Sequence, residues 1–292
     1  MKRRYYEATA RQRIDAILDA KSFRELLPPS ERVVSPHLQA LELPVAFDDG
    51  VVVGHGLLEG RAVLIAAQEG GFMGGAVGEV QGAKIVGILQ RAERECAPVV
   101  LLAESGGVRL QEANAGLIAV SEVMRAILSA RAAGITVLAA IGGQYGCFGG
   151  MGIAVACCSA IVMSEEGRLG LSGPEVIETA RGVEEFDSRD RALVWRTVGG
   201  KHRYLLGDCS ALVEDDLQEF RKALLGFAAL NNPLTLEAME REHAMLSRRL
   251  ETFGALSDGL DVWRALGWLQ PENVSLAPTE VFLEQARALR AA

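Results

Sequence analysis

The chain is predicted to be an α/β protein with parallel strands at its centre, on three observations. Short apolar runs alternate with helical patterns between residues 51 and 163. Two of those runs, at 98–104 and 135–141, break into glycine-bearing turns that open helices: Ser105-Gly-Gly-Val-Arg109 and Gly142-Gly-Gln-Tyr-Gly-Cys-Phe-Gly-Gly150. With 292 residues, 49% of them hydrophobic, the chain is long and apolar enough for one large core.

Taken in order, residues 7–20 carry a helical pattern that ends at Leu27-Pro-Pro-Ser30. Asp49-Gly50 opens a β-branched run at 51–57, Glu59-Gly-Arg61 turns it, and 62–68 returns, which reads as a hairpin. The stretch from Gly70 to Gly78 is a glycine loop for close backbone approach. Ile85, Ile88, Leu89 and Ala92 then recur at helical spacing. The first glycine turn leads into a helix whose apolar face is read as Leu117, Val120, Met124, Ile127 and Leu128, ending near Gly134. The second strand, turn and helix follow, then a strand at 160–163. Pro174 suits the first turn of a helix. Residues 208–230 read as one long helix with an acidic start, 233–269 as further helices, and 279–289 as the last. Three segments result: a helical 1–40, a catalytic-type domain at 41–232 and a helical extension at 233–292.

A net charge of −8 and 5% aromatic residues speak against nucleic acid and anionic membranes as partners. No uninterrupted apolar run reaches membrane-span length, and the start lacks a signal-peptide core, so the cytoplasm is the expected address. Five cysteines form no C-x-x-C pair, which argues against a zinc site or disulfide framework. Cys147 lies in a glycine turn but has no nearby histidine to activate it. The basic residues Lys2, Arg3, Arg4, Arg11 and Arg13 face Glu7 alone over the first 13 positions, as a solubilising terminus or a contact for an anion.

The two turns carry the chemistry. The first N–H groups of each helix lack intrahelical partners. Two such turns facing one another would aim two donors at one oxygen, an oxyanion hole suited to a thioester carbonyl becoming an enolate. Glu104 and Glu112 flank the first turn and read mainly as structural; Arg109 pairs either with Glu112 or with an anionic ligand. His55 shares a strand face with Val53 and Leu57, while His202 sits at a subunit surface, a ligand edge or in the core. Phe72 and Met73 are walls of a substrate channel or core.

With these residues placed, the chain resembles the carboxyltransferase branch of the crotonase superfamily, nearest to the β subunits of biotin-independent malonate decarboxylases. The resemblance runs from Ala10 to about Phe227 and is carried by Asp49-Gly-Val-Val-Val-Gly-His-Gly56, Gly74-Gly-Ala-Val-Gly-Glu79, Ser105-Gly-Gly-Val-Arg-Leu-Gln-Glu112, Gly146-Cys-Phe-Gly-Gly-Met-Gly152 and Ser172-Gly-Pro-Glu-Val-Ile177. It implies a crotonase-like ββα spiral with added C-terminal helices. It implies decarboxylation of a malonyl group carried on the phosphopantetheine-type arm of an acyl carrier subunit (or a CoA analogue), with a homologous γ subunit supplying the other half of the site. No cofactor bound by this chain is expected. The donors it implies are Gly107 or Val108 and Gly149 or Gly150, with Val108 and Gly150 the first choice. Gly74, Gly75, Gly106, Tyr145, Phe148 and Met151 are expected to line the substrate. Val108, where the usual carboxyltransferase turn has alanine, is expected to narrow the pocket. The alternative is a β-type carboxyltransferase subunit of a biotin-dependent acyl-CoA carboxylase; the four-cysteine ribbon of acetyl-CoA carboxylase β subunits has no counterpart here.

Overall fold

The computed structural model describes residues 3–290, so Lys2 lies outside it. Seven strands form one sheet in chain order. They are β1 (Arg24–Glu25), β2 (Val51–Leu58), β3 (Arg61–Gln68), β4 (Val99–Leu102), β5 (Val137–Ile141), β6 (Ala160–Ser164) and β7 (Ala211–Val213). The first three pair antiparallel and the last five, from β3 on, parallel. The hairpin turn is Glu59-Gly60, both with positive φ (50° and 74°), the geometry whose twist matches the flanking strands.

Strand alternation divides the interior into two cores. Val51, Val53, Leu64, Ala66, Val99, Leu101, Val137, Ala139 and Ile141 face one side. Val52, Val63, Ile65, Val100, Leu102, Leu138 and Val162 face the other. The first side is covered by α3 (Glu79–Glu95), α4 (Ala113–Ala132) and α5 (Gly149–Ala156). The second is covered by α1 (Ala10–Ile17) and α9 (Leu217–Phe227). Between them in the chain stand α2 (Pro36–Ala40), α6 (Pro174–Arg181), α7 (Arg191–Val198) and α8 (Gly200–Leu206); α10 (Leu236–Phe253), α11 (Gly259–Ala265) and α12 (Thr279–Leu289) close it. Strand, strand, helix, then strand and helix twice more is the expected crotonase-like order.

Two expectations change. Residues 208–216 are not helical: 211–213 pair parallel to β6, and Asp216 caps α9 by accepting from Gln218 N–H at 2.8 Å. The acidic triplet therefore precedes the helix instead of forming its first turn. The buried face of α4 is Gly116, Ala119, Val120, Val123, Ala126, Ile127 and Ala130, while Leu117 and Leu128 are exposed. Small residues won because α4 lies close against α3, where a Cβ on Gly82 would fall 2.7 Å from Ala119 Cβ. By length and composition Leu110–Ala132 would also suit a membrane span, but its small-residue face is packed in the core. Both flanking segments contribute to the cores: Tyr5, Ile14 and Ile17 enter one, and Trp263 and Phe282 the other.

Candidate active site

Strands β4 and β5 are in register, Leu102 opposite Ala140, so their following turns emerge together at one edge. Past the sheet the backbones keep pairing. Ser105 N–H donates to Gly146 O and Phe148 N–H to Ser105 O, both at 2.8 Å. Cys147 N–H donates to Arg168 O at 2.8 Å, while Val77 N–H meets Gly107 O at 2.8 Å and Arg109 N–H meets Val77 O at 2.9 Å. Four short segments, around residues 77, 107, 147 and 169, thus form a small second layer that holds both turns side by side.

Within this layer most amides are used. Gly106 N–H donates to Gly74 O at 2.8 Å, Gly107 N–H to Ser105 Oγ at 3.2 Å and Gly149 N–H to Leu171 O at 2.8 Å. The N–H groups of Val108 and Gly150 meet no acceptor among the described residues. Of the four expected donors, Gly107 and Gly149 therefore spend theirs inside the protein. Their glycine character serves the backbone: φ is +128° and +61°, and a Cβ on Gly149 would lie 2.9 Å from Gly107 Cα. A Cβ on Gly150 would lie 3.6 Å from Val108 Cγ2, so those two residues adjoin. The Val108 methyls face the positions of Gly116 and Gly150, which puts its bulk between α4 and α5.

The glycine loop closes one side. Gly74 and Gly75 have φ of +64° and +67°, and a Cβ on Gly75 would collide with Glu104 O. The Tyr145 ring lies over Gly70 and Gly74 and is 41% exposed. Phe148 and Met151 do not line the site with their side chains. Phe148, 3% exposed, points into a cluster with Phe186, Val194 and Val198, and Met151, 1% exposed, belongs to the main core. At a helix start only some positions face outward: the Phe148 backbone joins the ladder while its side chain turns in, and Met151 lies on the inner face of α5. Phe72 and Met73 are half-buried; the Phe72 ring centroid lies 5.4 Å from the Arg109 guanidinium.

The charged residues near the turns are structural. Arg109 is fully buried between Asp49 (3.0 Å) and Glu112 (2.6 Å), which settles its even reading toward an internal pair. Glu112 also accepts from Ser35 Oγ (2.8 Å) and Glu79 N–H (2.7 Å), capping the start of α3; burial opposes its ionisation, but these donors and Arg109 hold its pKa below the usual value. Burial pushes the Cys147 thiol up to about 12, far from a nucleophile's range. His202 is buried, accepts from Trp263 Nε1 at Nδ1 (3.1 Å), and burial pushes its pKa down to about 3. It belongs to the core. Three of the N-terminal arginines are also taken: Arg4 pairs with Asp215, Arg11 with Glu25 and Arg13 with Glu104.

The elements bearing the turns also expose apolar side chains. Leu110 is 85% exposed, Leu171 67% and Ile118 62%, with Leu117 and Ile153 beside them on α4 and α5. So large an apolar display on the rim of a site marks a surface that is covered in use.

The carboxyl transferase domain profile matches residues 4–242. The chain belongs to the carboxyl transferase family. It is 40% identical to the malonyl-S-ACP:biotin-protein carboxyltransferase of Malonomonas rubra, over 98% of this chain and 96% of that protein. The crystal structure of a Pseudomonas malonate decarboxylase hetero-tetramer in complex with malonate superposes with a TM-score of 0.83 at 44% identity, covering 90% of this chain and 97% of that one. The Pseudomonas malonate decarboxylase hetero-dimer superposes with a TM-score of 0.68 at 42% identity, covering 85% and 97%.

What the sequence reading missed is the set of buried ion pairs. Asp49 reads as a turn residue and Arg13 as part of a basic terminus, and no local pattern distinguishes a buried charge from a solvated one.

Proposed function

We propose that this chain is a subunit of a malonate decarboxylase and converts a malonyl thioester to an acetyl thioester and CO2. The observation that carries this is that two adjoining residues, Val108 in the first glycine turn and Gly150 in the first turn of α5, both keep an unengaged N–H. Similarity to a malonate decarboxylase at 44% identity over most of both chains supports it. Malonate itself would leave an unstabilised carbanion on losing CO2. In a thioester the carbon–carbon bond breaks with its electron pair delocalised into an enolate, whose oxygen the two amides hold. A proton then adds at carbon to give the acetyl group. No covalent intermediate with the protein is required; placement and fixed dipoles carry the rate.

The substrate's phosphopantetheine-type arm, on an acyl carrier subunit, would reach the amides past Gly74, Gly106 and the exposed face of Tyr145. A homologous γ-type subunit would cover Leu110, Ile118 and Leu171 and complete the site; the hetero-dimeric Pseudomonas structure supports a partner of this kind. A second reading is transfer of the carboxyl group to biotin, favoured by the name of the M. rubra relative. The same amides serve both reactions.

The test is CO2 release from malonyl carrier thioester by this chain alone, with its partner, and with avidin added. Release only from the pair, insensitive to avidin, is expected. Avidin-sensitive release would favour carboxyl transfer, and full activity of this chain alone would contradict the shared site.

A further inference from the structure

We infer that Glu104 is the positioning residue that fixes the spacing of the two oxyanion turns, with Arg13 holding its charge. This deepens the decarboxylase reading and rests on it. Glu104 immediately precedes the first turn, and its own N–H donates to Gln68 Oε1 at 3.2 Å. Its side chain reaches the other turn, where Oε1 accepts Tyr145 N–H at 3.0 Å. One residue therefore belongs to the first turn by its backbone and to the second by its carboxylate. Both it and Arg13 are almost fully buried (3% and 1% exposed), and Arg13 Nη1 donates to Glu104 Oε2 while Arg13 Nε donates to Tyr5 O at 3.2 Å.

The surrounding glycines are shaped around this carboxylate. A Cβ on Gly143 would fall 2.3 Å from Glu104 Cδ, and one on Gly70 would fall 2.6 Å from the same atom. Two different segments, the loop before Phe72 and the turn after β5, thus leave out side chains so that Glu104 can lie between them. A buried carboxylate is costly unless it is paired and hydrogen-bonded, and here it is both. A purely stabilising pair would not require its free oxygen to hold an amide five residues before Gly150. That amide belongs to the segment Gly143–Phe148, whose other hydrogen bonds to the first turn, among the described residues, are those of the backbone ladder at Ser105.

The experiment compares two double variants, Arg13→Met/Glu104→Gln and Arg13→Met/Glu104→Met, each reconstituted with the partner. Both lack the buried charges; only the first keeps an acceptor for Tyr145 N–H. Steady-state CO2 release from malonyl carrier thioester and amide exchange over residues 142–152 are read in each. Losing one such hydrogen bond corresponds to about a tenfold change. The glutamine variant should keep kcat within about threefold of the unaltered protein, and the methionine variant should lose about tenfold or more, with KM changed by no more than about twofold in either. Exchange at Tyr145 should quicken by about tenfold in the methionine variant alone. Equal kcat and equal exchange in the two would overturn the inference. Should the methionine variant not fold, Glu104→Asp keeps the charge but withdraws it by one methylene. A lowered kcat in that folded variant supports the inference, and an unchanged one overturns it. If the unaltered complex releases no CO2, the decarboxylase reading fails, and amide exchange alone decides the role of Glu104.

Discussion

Val108 and Gly150 each keep an N–H that neither the local ladder nor a side chain among the described residues takes up. Their importance is predicted to show when backbone placement is disturbed. A Cβ on Gly150 would fall 2.6 Å from Val120 Cγ1, so Gly150→Val must push the start of α5 away. Since one oxyanion donor is worth about 10² in kcat, CO2 release should fall about 100-fold while the far-ultraviolet circular dichroism spectrum stays unchanged. Cys147, at the centre of the ladder, has its thiol pushed up to about 12 by burial and should resist iodoacetamide at pH 8. Exposed Cys96 should take the label instead, with activity retained; peptide mass mapping checks both outcomes. Glycine spacing made the two turns legible in the sequence. The first choice of Val108 and Gly150 came from the resemblance and not from a local pattern, since Gly149 gives its N–H to Leu171 O, a partner far along the chain.

At the scale of elements, β2 to β6 were legible because each is a short apolar run bounded by turn residues, whereas the two residues of β1 carry no such signal. The stretch 211–213 was misread because three residues cannot show a period, and only β6 alongside makes them a strand. The face of α4 was misread because large apolar residues were taken as core. In fact close packing on α3 selected Ala119, the approach of the Val108–Arg109 turn selected Gly116, and Leu117 was left outside. The same contact predicts an asymmetry between two glycines of α3. Gly87 has open space around its Cβ position, whereas Gly82 lies against Ala119. Gly87→Ala should stabilise the protein by about 0.5–1 kcal/mol, and Gly82→Ala should destabilise it; urea denaturation distinguishes the two.

For the whole molecule, the sheet's two cores bind both termini into one body, and His202 reports on that union. It lies in α8 and accepts from Trp263 of α11, which requires a neutral imidazole with its Nδ1 lone pair free. Its folded pKa is pushed down to about 3 by burial, against about 6.5 for an unperturbed histidine. Between those values the unfolded chain binds more protons, so stability is complete above about pH 6.5 and is lost as pH falls toward 3. Between pH 7 and pH 5 the protein should lose about 2 kcal/mol that His202→Asn, which keeps an acceptor for Trp263, does not lose. Equilibrium denaturation at the two pH values checks this.

The assembled molecule bears most directly on the central claim, because in the proposed function the amides would act only when partner and carrier complete the site. The decisive measurement is a crystal structure of the reconstituted complex with a non-decarboxylating malonyl thioester analogue on the carrier arm. The thioester oxygen should lie within about 3.1 Å of both Val108 N and Gly150 N. An oxygen bound elsewhere, with those two amides facing water or the partner's carbonyls, would contradict the account.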